Sequence, residues 1–294
     1  MPEAQLSEEA GTLRRMDLPT DGHVHSRFSW DARLIGDMEA TCARAVDQGL
    51  PAVIFTEHVD FTPFRAGFLT QSYPEVADFV SDGILTAPEL DVDGYSESIE
   101  RCRAAFPQLH VVAGVEVGQP HRHTAQIEDL LARGPFERVL GSLHCLPDGD
   151  EFAEPWDLYP RYRAADVFRD YLAEIPRMVA GSQAFTAFAH IDYPIRSWPQ
   201  DAEPFRLGDF EEELRHALGV LAQAERALEI NTRLPMDPVI LGWWVQEGGQ
   251  RVTFGSDAHK PDFIGHGLAE AGALAASMGF TPDVQPVAPW RLSR

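Results

Sequence analysis

The chain has 294 residues, 44% of them hydrophobic, which is ample for one large packed core. Its formal charge is −22, and Lys260 is its single lysine among 24 basic residues. Such an acidic surface argues against long grooves for DNA or RNA and against adhesion to anionic membranes. A small partner, above all one carrying positive charge, is compatible with it.

Residues 1–16 are polar and lack an apolar run, so they read as a flexible N-terminal extension rather than a secretory signal. Residues 17–294 read as a single domain. No apolar stretch approaches the length of a membrane span. Cys42, Cys102 and Cys145 are widely spaced and odd in number, which implies no disulfide framework and points to a reducing cytoplasm. A monomer or small homo-oligomer is expected.

The first strand is expected in LPTDGHVH (18–25). LIGDMEATCARAVDQGL (34–50) follows at helical spacing, with Leu34, Ile35, Met38, Cys42, Ala45 and Val46 on one face, ended by Gly49 and Pro51. AVIFT (52–56) is a buried-type strand. Residues 61–95 show no clean period and read as an irregular excursion over one end of the domain, a candidate lid. Helical SESIERCRAAF (96–106) leads to the strand VVAGVEV (111–117), and IEDLLARG (127–134) to RVLGS (138–142). AADVFRDYLAEIPRMVAG (164–181) leads to AFTAFAH (184–190), and DFEEELRHALGVLAQAE (209–225) to ALEIN (227–231). DPVILGWWVQEGG (237–249) leads to RVTFG (251–255), and a last helix covers 266–278.

This β–α alternation predicts an α/β fold with a parallel sheet covered by helices. An open doubly wound sheet and a closed barrel both satisfy it. No G-x-G-x-x-G follows the first strand, which argues against dinucleotide binding.

Six of the seven strands end in His, Asp or Glu. His23 and His25 close the first, His58 (with Glu57) the second, and Glu116 falls in the third. His144 closes the fourth, His190 the fifth, and Asp257 and His259 follow the seventh; Asp31 lies eight residues after His23. Carboxyl ends of parallel strands converge on one face, where active sites of such folds lie. Alternate residues of an extended segment share a side, so both imidazoles of H-x-H can reach one ion. One ion takes about four to six ligands, so nine donors imply more than one metal. A lone buried histidine is usually only packed; the shared position of the whole set is what points to metal. His110 and His216 are expected on the surface or on a helix, and His266 near the start of the last helix. Glu57 is expected beside the ligands rather than among them.

The series H-x-H with its aspartate, TEH, GVEV, GSLH, the histidine of AHIDYP, and GSDAH resembles the PHP superfamily (polymerase and histidinol phosphatase) over roughly residues 18–275. Within it, HVHSRFSWDA, GSLH, HIDYP and EINTRL are most similar to PHP-type histidinol-phosphate phosphatases. The resemblance implies a distorted seven-stranded (β/α) barrel with three divalent transition-metal ions, Zn, Mn or Fe. By position, His23, His25, Glu116 and Asp257 hold one ion. Glu116 bridges to a second, held also by His144 and His190, while Asp31, His58 and His259 hold the third. The implied reaction is hydrolysis of histidinol phosphate to histidinol and phosphate by a metal-bridging hydroxide, in histidine biosynthesis. A PHP phosphoesterase of other specificity, a nucleotide phosphatase or short-oligonucleotide exonuclease, is the alternative. A non-catalytic PHP module is disfavoured because no ligand position is missing.

Substrate contacts are expected from Arg233, where the family often has a small residue, from Arg196, and from His121 and His123 in GQPHRHT. Acidic residues of the excursion, Asp60, Glu75 or Asp78, are expected to face the substrate amine.

Overall fold

The computed structural model describes residues 18–72 and 74–293. The expected extension 1–16 lies outside the described residues. The strands are β1 (Asp21–Val24), β2 (Ala52–Val59), β3 (Phe64–Arg65), β4 (Val80–Ser81), β5 (Ile84–Leu85), β6 (His110–Gly118) and β7 (Arg138–Ser142). They continue as β8 (Leu146–Asp148), β9 (Glu151–Ala153), β10 (Ala187–Phe188), β11 (Ala227–Asn231), β12 (Arg251–Gly255), β13 (Phe280–Thr281) and β14 (Trp290–Leu292).

One sheet runs in the order β1-β2-β6-β7-β10-β11-β12-β14-β13. The pairings from β1 through to β12 are all parallel, as the alternation predicts. The sheet curls as a half-barrel that brings β1 beside the segment following β12. There the His25 N–H donates to the Ala258 carbonyl and the Asp257 N–H to the His23 carbonyl, both at 2.8 Å. The start of β12 also pairs with antiparallel β14, through Arg251–Arg291 and Val252–Trp290, so the sheet extends past its parallel strands.

Local chemistry sets the element boundaries. The helix Met38–Gln48 starts where Asp37 accepts from the Ala40 N–H at 2.9 Å. It stops at Gly49, whose φ of 74° glycine adopts without strain. The cap at Asp37 leaves Leu34 and Ile35 outside the helix and exposed, against the expectation that they share its apolar face. Met38, Cys42 and Ala45 do bury against the sheet. Tyr95 is fully buried in the helix Val92–Ala105; its hydroxyl donates to the Phe55 carbonyl at 2.8 Å and accepts from the Gly114 N–H at 3.0 Å, tying β2 to β6.

The excursion at 61–95 is not irregular. Its strands β3, β4 and β5 join β8 and β9 in a second sheet, in the order β4-β5-β3-β9-β8. That sheet covers a small apolar cluster that includes Trp30, Phe64, Leu69, Val76 and Leu85.

Candidate metal centre

All nine predicted donors come together, and Glu116 is their hub. Its Oε1 lies 2.7 Å from His190 Nε2 and 3.1 Å from His144 Nε2, and accepts from Ser142 Oγ at 2.5 Å. Its Oε2 lies 3.1 Å from His23 Nε2, 3.4 Å from His25 Nε2 and 3.2 Å from His58 Nδ1. Asp257 Oδ1 approaches His23 Nε2 at 3.8 Å and His25 Nε2 at 3.5 Å. Asp31 Oδ2 sits 2.9 Å from His259 Nε2 and 3.4 Å from His58 Nε2. Thus the pairs 23/25 and 257/259, more than 200 positions apart in the chain, face one space.

The backbone is bent to achieve this. His190 has a φ of 28° and Asp257 a φ of 57°, values that side chains other than glycine rarely adopt. Glycine is required at two nearby positions. A Cβ at Gly118 would lie 2.0 Å from Asp60 Oδ1, and one at Gly255 would lie 2.3 Å from the His23 Cβ.

A ring of buried acceptors behind the donors fixes the imidazoles. Glu229 Oε1 lies 2.7 Å from His23 Nδ1, and Asp60 Oδ1 3.1 Å from His144 Nδ1. Glu57 accepts from Ser29 Oγ at 2.6 Å, and that hydroxyl stands 3.0 Å from His25 Nδ1. Glu57 therefore acts behind His25, as the sequence suggests. Asp60 does not face the open cavity as expected, because Trp30 Nε1 and His144 hold it in the wall. Asp78, also expected there, is exposed and pairs with Arg33. The Glu75 side chain lies outside the described residues. Glu229 was missed as a single acid within an apolar strand, although a charge in ALEIN is itself a signal, since buried acids need partners.

The crowding sets the charges. Burial pushes the Glu116 carboxyl up, but His23, His144 and His58 hold it well below the usual carboxylate range. Burial drives His25 well below an ordinary imidazole, and His58 and His259 add to this. His58 goes the other way, up to about 9, because Asp31 and Glu116 outweigh its burial.

The donor set fits divalent metal ions. His23 Nε2 and His25 Nε2 face each other at 3.0 Å. Asp31 Oδ1 and His58 Nδ1 are buried without a hydrogen-bond partner. Imidazole with carboxylate and no thiolate suits borderline divalent ions. Groups within ligand distance of one another include His23–His25–Asp257, His23–Glu116–His190, His25–His58–His259 and His58–Asp60–His144. The last adds Asp60, absent from the predicted donors.

Seven of the nine donors, all but the fully buried His23 and His25, floor a cavity of about 610 Å³. Arg196 and Arg233 both line it. Arg196 is the deeper; its Nη1 donates to Asp257 Oδ2 at 2.7 Å, while Nε and Nη2 are buried without partners. The Arg233 side chain is half-exposed. Lys260 and His266 also line the cavity, which the sequence reading did not foresee. His121 and His123 do not line it. His121 Nε2 pairs with buried Glu174 at 2.8 Å, and His123 Nε2 lies 2.6 Å from Thr62 Oγ1. Another acid of the wall, Glu154, is pushed by burial up to about 8.

A curled parallel sheet with acids and imidazoles gathered at its carboxyl ends defines an α/β protein with a candidate multinuclear metal centre. The chain belongs to the PHP domain family, whose model matches residues 21–233. It is 28% identical over 270 residues to the histidinol-phosphatase of Lactococcus lactis, covering 88% of this chain and 91% of that one. It is 37% identical over 257 residues to a probable histidinol-phosphatase of Thermotoga maritima, covering 85% of this chain and 88% of that one. The crystal structure of histidinol phosphate phosphatase from Lactococcus lactis, complexed with Zn, L-histidinol and phosphate, superposes with a TM-score of 0.74 at 25% identity, covering 92% of this chain and 98% of that one.

Proposed function

We propose that this protein is a metal-dependent phosphomonoesterase that hydrolyses histidinol phosphate to histidinol and phosphate. The observation that carries the reading is the crowding of five imidazoles around Glu116, with Asp31, Asp257 and His259 beside them, at and beneath the floor of one cavity. The likeness to histidinol-phosphatases along most of the chain supports the substrate.

Three ions would fit this donor set. His23, His25, Glu116 and Asp257 would hold one; Glu116, His144 and His190 would hold the second; Asp31, His58 and His259 would hold the third. The donors suit Zn, Mn or Fe. When bound, such ions would supply Lewis acidity and lower the pKa of water to about 7. The chain's own residues do the positioning. Glu229, Ser29 and Asp60 hold the rings of His23, His25 and His144 by their far nitrogens. Arg196 offers its unpaired Nε and Nη2 to phosphoryl oxygens, a fork suited to phosphate. Arg233 and Lys260 add positive charge at the mouth. His121 and His123 are left to packing.

The same reading takes the curled sheet as a distorted seven-stranded barrel, with the Val24–Ala258 bridge as its seam. One core cluster running from Val24 to Trp290 supports treating 17–294 as one domain. No helix among the described residues is long and apolar enough to cross a membrane. Three free buried cysteines are in keeping with a reducing cytoplasm, where a monomer or small homo-oligomer would act.

The test is a substrate panel on the purified holoprotein: histidinol phosphate, nucleoside monophosphates, bisphosphorylated nucleotides and p-nitrophenyl phosphate, each with and without added Mn or Zn. Histidinol phosphate is expected to give the highest kcat/KM. Comparable turnover of the other esters with no preference for histidinol phosphate would refute the reading.

A further inference from the structure

The cavity has a wall that phosphate binding leaves unused. Glu154 stands at the start of the short helix Pro155–Leu158, lines the cavity and is 4% exposed. Tyr193 Oη donates to its Oε1 at 3.2 Å, while Oε2 is buried with no partner. The other cavity acids are already engaged: Asp31 and Glu116 by imidazoles, Asp257 by Arg196. Two residues further on, Trp156 lines the same cavity, and its Nε1–H is also buried and unpaired. One free acceptor and one free donor therefore sit in a wall completed by Phe68, Leu69 and Val76.

Buried polar atoms are almost always satisfied. Two left open beside one cavity mark the place where a ligand completes them. Tyr193 gives the spacing. Its ring centroid lies 5.4 Å from that of His144 and 5.0 Å from that of His190, and its hydroxyl reaches Glu154. The free carboxyl thus stands one tyrosine side chain away from the donor cluster, where the organic part of a small phosphate ester would project.

We propose that Glu154 receives the cationic nitrogen group of the substrate's alcohol portion, while the Trp156 Nε1–H beside it donates to a neutral acceptor of that same portion, and that Glu154 selects esters that carry such a cation. This rests on the phosphomonoesterase reading above. Burial holds Glu154 up at about 8 in the empty cavity, and a cation brought against it restores the carboxylate; an apolar pocket rejects a bare cation unless such a carboxylate meets it. A buried carboxylate likewise gains little from a neutral ester, so the pair discriminates in both directions.

Glu154→Gln keeps the shape of the side chain and removes its charge. The measurement is kcat/KM of the holoenzyme, wild type and variant, on histidinol phosphate and on p-nitrophenyl phosphate. The ratio of the two values is expected to fall by about 10²-fold in the variant, mainly through KM of the cationic ester. Calorimetric affinity for L-histidinol is expected to fall in parallel. Both ratio and affinity compare ligands on one preparation, so partial loss of fold does not imitate the effect. A ratio within about threefold of wild type would overturn the proposal while leaving the activity reading intact. A wild-type enzyme with no preference for the cationic ester would overturn both.

Discussion

Glu116 presents a different carboxylate oxygen to each side of the site: Oε1 to His190 at 2.7 Å and Oε2 to His23 at 3.1 Å. A single carboxylate so divided can serve two cations at once. Glu116→Gln is therefore expected to lower metal content by two ions per chain together and to abolish turnover. Elemental analysis of the purified variant checks this. Loss of a single ion would show that Glu116 does not bridge.

Glu229 touches no open space; it acts through His23 Nδ1, at 2.7 Å. It also accepts from the His190 N–H at 2.9 Å and from Asn231 Nδ2 at 3.0 Å. Glu229→Gln is expected to weaken metal affinity by about 10–100-fold while leaving the ligands in place. Chelator competition reads the affinity, and an unchanged value would remove Glu229 from the metal site.

The two arginines differ in depth. Arg196 is buried with two free nitrogens, whereas the Arg233 side chain is 48% exposed. Arg196→Met is expected to lower kcat/KM about 10²–10³-fold, and Arg196→Lys to recover little of it, since an ammonium lacks the fork. Arg233→Ala is expected to cost less than about 10-fold, because solvent screens its charge. Steady-state kinetics on both variants decide, and the reverse order would reassign the phosphate contact.

Metal uptake should release protons. A metal-bound imidazole gives up the lone pair that a proton would occupy. His58 is held protonated up to about 9 in the ion-free site: burial opposes this, but Asp31 and Glu116 outweigh it. A cation must therefore displace that proton at neutral pH, so apparent affinity is expected to rise with pH through that range. Calorimetry in buffers of different ionisation enthalpy counts the released protons. Uptake without release would contradict the assigned ligands.

Tyr95 tests the scaffold away from the chemistry. Its buried hydroxyl ties β2 to β6 through Phe55 and Gly114. Tyr95→Phe leaves two strand groups short of a partner and is expected to cost about 1–3 kcal/mol of stability with kcat unchanged. Denaturant unfolding measures the first and a kinetic assay the second.

The clustered donors were legible because their signal is chemical and local: His, Asp and Glu recur where apolar strands end. RVLGS and AADVFRDYLAEIPRMVAG match their elements to the residue for a similar reason, since each is a clear local pattern. AFTAFAH shrinks to the two-residue strand Ala187–Phe188, as the chain turns out of the sheet to seat His190. The second sheet stayed hidden because β3, β4 and β5 have two residues each, too few to show alternation. Lys260 and His266 reach the cavity only through the fold of the loop after β12. Glu229 and Asp60 act across 206 and 84 positions, and no local period reports such pairings.

The most direct measurement is an anomalous-scattering map of active, purified protein, recorded at the absorption edges of Zn, Mn and Fe. Three peaks are expected within the cluster of His23, His25, Asp31, His58, Glu116, His144, His190, Asp257 and His259, with Glu116 between two of them. Full turnover of histidinol phosphate by protein with no peak among these residues would contradict the metal-centre assignment.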